Sequence, residues 1–322
     1  MQDKILEILI KSDNYVSGQS ISEKLGVSRQ AVWKAIKSLK DREYKIDSIT
    51  NKGYRLVSFP SYLNEKGIKT HLNTKIIGKE LIVLDSVGST NDYLKNLGSN
   101  GCKNGTVVAA REQINGKGRI GRAWEMKKDD CIAFSFILRP NIAPREVSSV
   151  TPLAGLAVCK AIREFTGLDC MIKWPNDIIV GRKKLVGILT EMSAEFDAVE
   201  YIVTGIGINT DTAEFPEDIA VKATSVFLET SNYPDKNKFL ACVLKHIEDE
   251  FIKNNLKLTE SALSEYTDMC ATIGRNVTLQ KDNQSISGTA VGIDKSGELK
   301  IMLSDGTIYL VNSGEVTIQG IY

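Results

Sequence analysis

The chain has 322 residues, 42% hydrophobic and 25% charged, with a formal net charge of +1. That length suits two or three domains, and the composition is that of an ordinary soluble globular protein. It has no apolar run of about 18 residues and no signal-peptide pattern, which excludes a spanning helix and makes the cytoplasm the expected compartment. With only His71 and His246 present, a histidine triad or a histidine-rich zinc site would have to use one of these two, and both read as ordinary surface or packing residues. The six cysteines, at 102, 131, 159, 170, 242 and 270, include no Cys-x-x-Cys and read as reduced, mostly buried thiols.

Residues 1–57 carry a modest, clustered excess of Lys and Arg over Asp and Glu. Helices are predicted over 3–11, 18–25 and 29–40. Ile5, Leu6, Ile8 and Leu9 give the first its inward face. Gly26 is placed to end the second in a left-handed turn, and Ser28 to cap the third. On the third, Val32, Ile36 and Leu39 form one apolar stripe, while Arg29, Gln30, Trp33, Lys34 and Lys37 fall on the other side. Strands near 45–50 and 54–57, around Asn51-Lys52-Gly53, read as a β-hairpin wing. Core contacts on one face and groove contacts on the other are the division of labour of a DNA recognition helix. Arg29, Gln30 and Lys34, with Trp33 beside them, would face base edges, and Lys37 and Lys52 would meet phosphates. A three-helix interaction module with a solvated basic face fits the same pattern.

Pro60 and the polar stretch to about 66 read as a linker. Beyond it strands are predicted at 81–85, 106–110, 132–138, 170–174, 177–180, 185–193 and 201–208, and helices at 65–70, 91–98, 146–165, 236–254 and 259–268. This is a mixed α/β pattern, with parallel and antiparallel pairs expected in one sheet. Its densest chemistry is Gly116-Lys117-Gly118-Arg119-Ile120-Gly121-Arg122-Ala123-Trp124. The glycines let the backbone approach a ligand and present N–H groups to an anion. Lys117, Arg119 and Arg122 add charge suited to phosphate or carboxylate. The spacing is neither the dinucleotide fingerprint nor a Walker A loop, and a solvated basic loop is the plain alternative.

Four other clusters punctuate this region. Ser89-Thr90-Asn91 opens a helix as a natural N-cap and also offers polar partners to a ligand. Lys173-Trp174-Pro175-Asn176-Asp177 joins two strands as a turn. Arg182-Lys183-Lys184-Leu185-Val186-Gly187 leads into an apolar strand from a basic hairpin tip. Gly205-Ile206-Gly207-Ile208-Asn209 ends a strand with alternating glycines, which marks close approach of another backbone or a ligand. Residues 273–321 then alternate apolar and polar positions between turn signals at Lys281-Asp282-Asn283, Lys295-Ser296-Gly297 and Ser304-Asp305-Gly306. A small β-barrel is expected there, either a structural cap or a border of the site.

In this order, Ser-Thr-Asn, Gln113 with the Gly-Lys-Gly-Arg-x-Gly-Arg-x-Trp loop, Lys-Trp-Pro-Asn-Asp, Lys-Leu-Val-Gly-Ile-Leu and Gly-Ile-Gly-Ile-Asn resemble the biotin–protein ligases. With the helix-turn-helix in front, essentially the whole chain resembles their bifunctional bacterial form, which is also the biotin-operon repressor. Lys117 stands where arginine is usual, and Ile120 where a basic residue often occurs. The resemblance implies an α+β multidomain protein: a winged helix-turn-helix over 1–60, a mixed α/β catalytic domain over 66–271 and an SH3-like barrel over 273–322. It implies that ATP, with Mg²⁺, converts biotin to biotinyl-5′-adenylate, which a lysine of a biotin carboxyl carrier protein, of acetyl-CoA carboxylase type, then attacks. Ser89, Thr90, Asn91 and Gln113 would line the biotin pocket, and Lys117, Gly118 and Arg119 would fold over biotin and the adenylate. Lys184 would contact the biotin carboxylate and the α-phosphate, and Asp177 would orient that chemistry or a metal. Asn209 would lie near the nucleotide, with the adenine loop within 211–227.

Lys184, Arg119 and Asp177 are therefore the expected catalytic residues. The nucleophile belongs to the substrate, so the protein need only align two anions and neutralise developing charge. Operator DNA upstream of biotin genes is an expected partner, as is a homodimer of the adenylate-bound form involving 115–122 and an edge near 185–193. Lipoate–protein ligases share the core but usually carry Arg-Arg-x-Ser-Gly-Gly-Gly and a nearby histidine, and neither is present here. Two further rivals are a sensor that binds adenylate without transferring it and a ligase whose helix-turn-helix serves another use.

Overall fold

A computed structural model of the chain describes residues 1–124, 126–195, 198–281, 284–312 and 315–318. It divides into two compact units, Met1–Gly67 and Ile68–Tyr322.

In the first unit, α1 (Gln2–Ile10), α2 (Gly18–Leu25) and α3 (Arg29–Asp41) precede the antiparallel hairpin β1 (Lys45–Ile49) and β2 (Gly53–Ser58). Ser17 caps α2 by accepting from the Ser20 N–H, and Ser28 caps α3 by accepting from the Ala31 N–H. Gly26 between them is left-handed, at φ 65°, which permits the tight turn. Leu6, Leu9, Ile21, Val32, Ile36 and Leu39 bury themselves in one cluster with Tyr44 and Ile46, and this leaves the opposite face of α3 to solvent. The wing is pinned to the chain ahead of α2. Val16 and Tyr54 exchange both backbone hydrogen bonds at 2.9 Å, and a Cβ on Gly53 would collide with the Val16 carbonyl. With φ at 110° as well, that position requires glycine.

The second unit contains β3 (Leu81–Leu84), α5 (Thr90–Ser99), β4 (Val107–Ala110), the short β5 (Gly116–Lys117) and β6 (Ala123–Trp124), and β7 (Cys131–Leu138). A helix spanning the division between the units, α4 (Glu65–His71), precedes them. Then come α6 (Val150–Thr166), β8 (Cys170–Lys173), β9 (Asp177–Val180), β10 (Lys183–Glu195), β11 (Ala198–Asn209), α7 (Glu217–Ala220), α8 (Val226–Thr230), α9 (Lys236–Asn254) and α10 (Glu260–Asp268). Seven strands form one sheet in the order β3-β4-β7-β11-β10-β9-β8. The β3–β4 pair is parallel and the other neighbours are antiparallel.

Every residue of β4 and β7 is buried, as a strand covered on both faces requires. Leu94 of α5 packs with Val108, Ile137 and Val203 on one face. On the other, Phe136, next to Ile137 and so of opposite parity, meets Phe251 of α9 with ring centroids 5.8 Å apart. The helix expected over 146–165 begins instead as a 3₁₀ turn, Pro144–Ser149, and becomes α-helical at Val150.

Strand β10 pairs with β9 only over Lys183–Gly187 but with β11 over Val186–Glu195. Ile188 is still bonded on that side, its N–H donating to the Asn176 carbonyl and its carbonyl accepting from Asn176 Nδ2, both at 2.9 Å, so the last seven residues of β10 form a free edge among the described residues. All six cysteines are free, with Cys131, Cys159, Cys170 and Cys270 buried. Among the described residues no helix is long and apolar enough to cross a membrane.

Five antiparallel strands follow: β12 (Asn276–Lys281), β13 (Gln284–Ile293), β14 (Leu299–Met302), β15 (Ile308–Val311) and β16 (Glu315–Ile318), in the order β15-β14-β13-β12-β16. The turn expected at Lys281-Asp282-Asn283 lies partly outside the described residues, as do positions 319–322 of the expected carboxy-terminal domain. This sheet is tied to the central one through Trp174, whose indole N–H donates to the Gly297 carbonyl at 2.9 Å.

Candidate active site

Three cavities meet at Lys184 and Trp124. The first is a narrow slot of about 50 Å³ between the glycine-rich segment and strands β10 and β11. Its floor is made of glycines because side chains from elsewhere lie on the strands. A Cβ on Gly205 would collide with the Asn91 amide, one on Gly207 would collide with the Trp124 indole, and one on Gly187 would stand 3.0 Å from that ring. The Trp124 indole N–H is buried and has no hydrogen-bond acceptor among the described residues.

The polar end of the slot is built on the first turn of α5. Ser89 caps the helix, and Ser89, Thr90 and Asn91 are buried. Gln113 Oε1 accepts from the Thr90 N–H at 2.8 Å and the Thr90 hydroxyl at 3.1 Å, with Gln113 Nε2 lying beside Gly116. Asn91 Nδ2 donates to the Leu189 carbonyl and to Glu191 Oε2, and Asn91 Oδ1 accepts from the Ser135 hydroxyl. Its amide is thus engaged at both ends, and it acts as a brace under the slot. The helix N-terminus adds its partial positive charge to this end.

The glycine-rich segment is a small hairpin. Gly116 pairs with Trp124 and Lys117 with Ala123, and Arg119–Gly121 turns between them. Gly118 N–H donates to the Arg122 carbonyl at 2.7 Å. Lys117 Nζ lies 2.6 Å from Asp92 Oδ2, and Arg119 donates to Asn176 Oδ1 at 3.0 Å. Lys184 Nζ is 2.7 Å from Asp177 Oδ1. The Lys184 backbone is fixed on one side by its N–H to the Lys222 carbonyl at 2.7 Å and by the Thr224 N–H to its own carbonyl at 2.8 Å. The sequence-derived residues Ser89, Thr90, Asn91, Gln113, Lys117, Gly118, Arg119 and Lys184 all line the slot.

The second cavity, about 760 Å³, is mainly apolar and runs from Trp124 past Cys131, Asn209, Thr212, Phe215 and Ile219. Asn209 is held by donating to the Thr224 carbonyl at 3.0 Å. The third cavity, about 600 Å³, adjoins the slot at Arg119 and Lys184 and contains Asp177. Neither histidine lines any of these cavities. His246 Nε2 lies 3.2 Å from Glu164, and burial holds the pKa of His71 below its ordinary value. Among the described residues no group of three or more His, Cys, Asp or Glu is placed to hold a metal ion.

In the first unit, Arg29, Gln30, Trp33 and Lys37 share one concave surface with Asn51 and Gly53 of the wing. Trp33 is 54% exposed, and Lys37 Nζ lies 5.8 Å from its ring centroid. Lys34 and Lys52 are also exposed but do not line that concavity. Sequence reasoning gave no role to Trp124, Asp92, Glu191 or Lys222. The alternating glycines signalled a close visitor to β11, but the visitor is more than 80 residues away in the chain.

Comparison with known proteins agrees with this geometry. Residues 83–209 match the Biotin/lipoate A/B protein ligase family, 2–55 an HTH domain and 272–318 the Biotin protein ligase C terminal domain. The chain is 35% identical over 313 residues to the bifunctional ligase/repressor BirA of Bacillus subtilis, covering 95% of each chain. It is 28% identical to BirA of Escherichia coli, covering 97% of this chain and 95% of the other. The biotin protein ligase from Aquifex aeolicus, solved in complex with biotin and ATP, superposes with a TM-score of 0.65 at 31% identity, covering 74% of this chain and 98% of that one. This chain therefore belongs to the biotin protein ligase family, in the bifunctional form that carries an amino-terminal helix-turn-helix.

Proposed function

We propose that the chain activates biotin with ATP as biotinyl-5′-adenylate, passes the biotinyl group to a lysine of a biotin carboxyl carrier protein of acetyl-CoA carboxylase type, and represses biotin genes through its helix-turn-helix. The observation that carries the catalytic reading is Lys184, held by Asp177 where the slot meets the mainly apolar cavity. Biotin takes the slot, with its ureido ring toward Ser89, Thr90 and Gln113 and its carboxylate toward Lys184. The nucleoside takes the apolar cavity beside Trp124 and Asn209. Lys184 and Arg119 then neutralise the two anions that must approach each other. Lys117, Gly118 and Arg119 cover the mixed anhydride and limit its exposure to water.

Magnesium would arrive with the nucleotide, since the ion draws most of its oxygen ligands from phosphates and water. Asp177 is the carboxylate that the site offers it. Bound there, the ion would neutralise phosphate charge.

The concavity between α3 and the wing supports DNA binding, with Arg29 and Gln30 toward bases and Lys37 and Lys52 toward phosphates. The free edge of β10 supports a symmetric dimer in which two copies extend one sheet. The edge starts after Ile188, the last residue bonded on that side, so 189–195 is the relevant stretch rather than all of 185–193.

The test is incubation with MgATP, biotin and a carrier domain, reading adenylate and labelled lysine by mass spectrometry, with lipoate in a parallel reaction. Biotinyl transfer is expected. Transfer of lipoate alone would overturn the assignment, and adenylate without labelling would mark a sensor. Fluorescence anisotropy on DNA from upstream of the host's biotin genes, at fixed salt, with and without biotin and MgATP, tests repression. Sedimentation under the same two conditions tests the dimer.

A further inference from the structure

We infer that Lys236 is a positioning residue for the nucleoside, holding from behind the two chain segments that wall the mainly apolar cavity. This rests on the placement of the nucleoside in that cavity under the function proposed above.

Lys236 is the first residue of α9, and its side chain is 3% exposed. Neither circumstance suits a lysine. The helix N-terminus carries partial positive charge, and burial of an ammonium is costly unless it is paired. Here it is paired twice. Its Nζ donates to the Asp129 carbonyl at 2.7 Å and to Oδ2 of the Asp211 carboxylate. Asp211 Oδ1 is buried and has no hydrogen-bond partner among the described residues, so this carboxylate depends on the ammonium for its counter-charge.

The two segments leave the sheet together. Cys131 at the start of β7 stands opposite Asn209 at the end of β11, so Asp129–Asp130 and Thr210–Thr212 run side by side. The Asp130 carbonyl accepts from the Asp211 N–H at 2.8 Å, the Thr210 hydroxyl at 3.1 Å and the Thr210 N–H at 3.3 Å. Asp129 holds a left-handed backbone, at φ 64°, which a non-glycine residue keeps only where its surroundings fix it. Arg111 fixes its side chain, with Nε and one terminal nitrogen donating to the two carboxylate oxygens at 2.8 and 2.7 Å. Lys236 fixes its carbonyl.

Asp130, Cys131, Asn209 and Thr212 line the cavity, whereas Lys236, Asp129 and Asp211 do not. Lys236 therefore acts on the nucleoside through the wall. The rest of the segment hangs from the same place, since the Phe227 N–H donates to the Thr210 carbonyl at 2.9 Å and the Ser225 hydroxyl to the Thr212 carbonyl at 2.6 Å. The polar end of the biotin slot is built instead on α5 and Gln113. Loss of the ammonium leaves a buried carboxylate uncompensated, so Asp211 must turn toward water and draw Thr210 and Thr212 with it. The nucleoside then loses its wall while biotin keeps its pocket.

The experiment uses the full chain, with adenosine as the nucleoside probe. Adenylate formation is followed at varied ATP and biotin, and adenosine is titrated as a competitor of ATP. Lys236→Met is expected to raise the ATP KM and the adenosine inhibition constant about tenfold each, with the biotin KM moving less than about twofold. Lys236→Arg should recover most of the loss. Lys236→Met combined with Asp211→Asn should lose less than Lys236→Met alone, because no uncompensated carboxylate remains. Lys238→Met, which removes a half-exposed charge from the same helical turn, should change none of these values. If Lys236→Met does not fold, Asp211→Asn, which leaves the ammonium its Asp129 carbonyl, carries the same test at about threefold. An unchanged ATP KM, or an equal rise for biotin, would overturn the positioning role while leaving adenylation standing. Absence of adenylate from the unaltered protein would overturn both proposals.

Discussion

The two anion-handling regions of this chain use cations in opposite ways. On the first unit, Arg29, Lys34, Lys37 and Lys52 are exposed and have no acidic partner among the described residues. In the second, Lys117 is held by Asp92, Arg119 by Asn176 and Lys184 by Asp177. A DNA backbone repeats its charge, so a free side chain finds a phosphate from many positions and gains from released counterions. A single phosphorus atom must be met at one place, and a misplacement of about 1 Å costs about a hundredfold in rate. Held cations give up adaptability for position, and free ones keep it.

This contrast can be broken by substitution. The largest effect is expected for Lys184→Ala, which should slow adenylate formation by about 10²–10³-fold in a single-turnover assay. Lys184→Arg should also be strongly impaired, because charge without the Asp177 geometry is insufficient. A fully active Lys184→Arg protein would erase the distinction between the regions. Gly207→Ala should come next, at about a hundredfold, because the new Cβ displaces the Trp124 ring. Normal adenylation together with unchanged tryptophan fluorescence would rule out the packing role given to Gly207.

Arg119→Gly should affect retention more than formation, with adenylate escaping about tenfold faster and labelling proteins indiscriminately. Tight retention of adenylate would contradict the covering role. In the free-cation region, Lys52→Ala should weaken cognate and random DNA alike and reduce the salt slope by about 1, while Lys52→Arg should be nearly silent. Gln30→Ala should instead relax sequence preference, and equal losses on cognate and random DNA would end that division of labour.

The smallest effect concerns stability. Hydrogen bonds from Lys160 and Lys253 lower the Glu265 pKa to about 2 from its ordinary 4.5. A depressed carboxylate contributes stability that is complete above its unfolded value and is lost as pH falls through its folded value. The unfolding midpoint of the native protein should therefore exceed that of Glu265→Gln at pH 6, and the two should converge as pH falls from about 4.5 toward about 2. A difference independent of pH would show that packing, not charge, is responsible.

What was legible in the sequence is what depends on neighbours in sequence. The stripe of Val32, Ile36 and Leu39, the Ser28 cap and the Gly26 turn are local and stand as read. The buried strands β7 and β11 announced themselves as apolar runs. The hairpin at Gly116–Trp124 did not, because two-residue strands carry no periodicity. Trp124 on Gly207 and Asn91 on Gly205 are long-range packings visible only as unexplained glycines. The segment 211–227 resisted assignment for the same reason. Thr212, Phe215, Ile219 and Lys222 acquire meaning only when the chain after β11 folds back beside Lys184.

On the proposed function, strand β10 would join chemistry to assembly in a mechanical sense. For its first six residues it is an interior strand, clamped by β9, by Asn176 and by the chain at Lys222, and it carries Lys184 there. For its last seven it is an edge. A strand transmits displacement along its length like a stiff rod, and the distance from Lys184 to Glu195 is about 36 Å at the usual rise per residue. A second chain adding to that edge would grip one end of the rod whose other end holds Lys184. Occupancy at either end would then be felt at the other as strain in one shared beam.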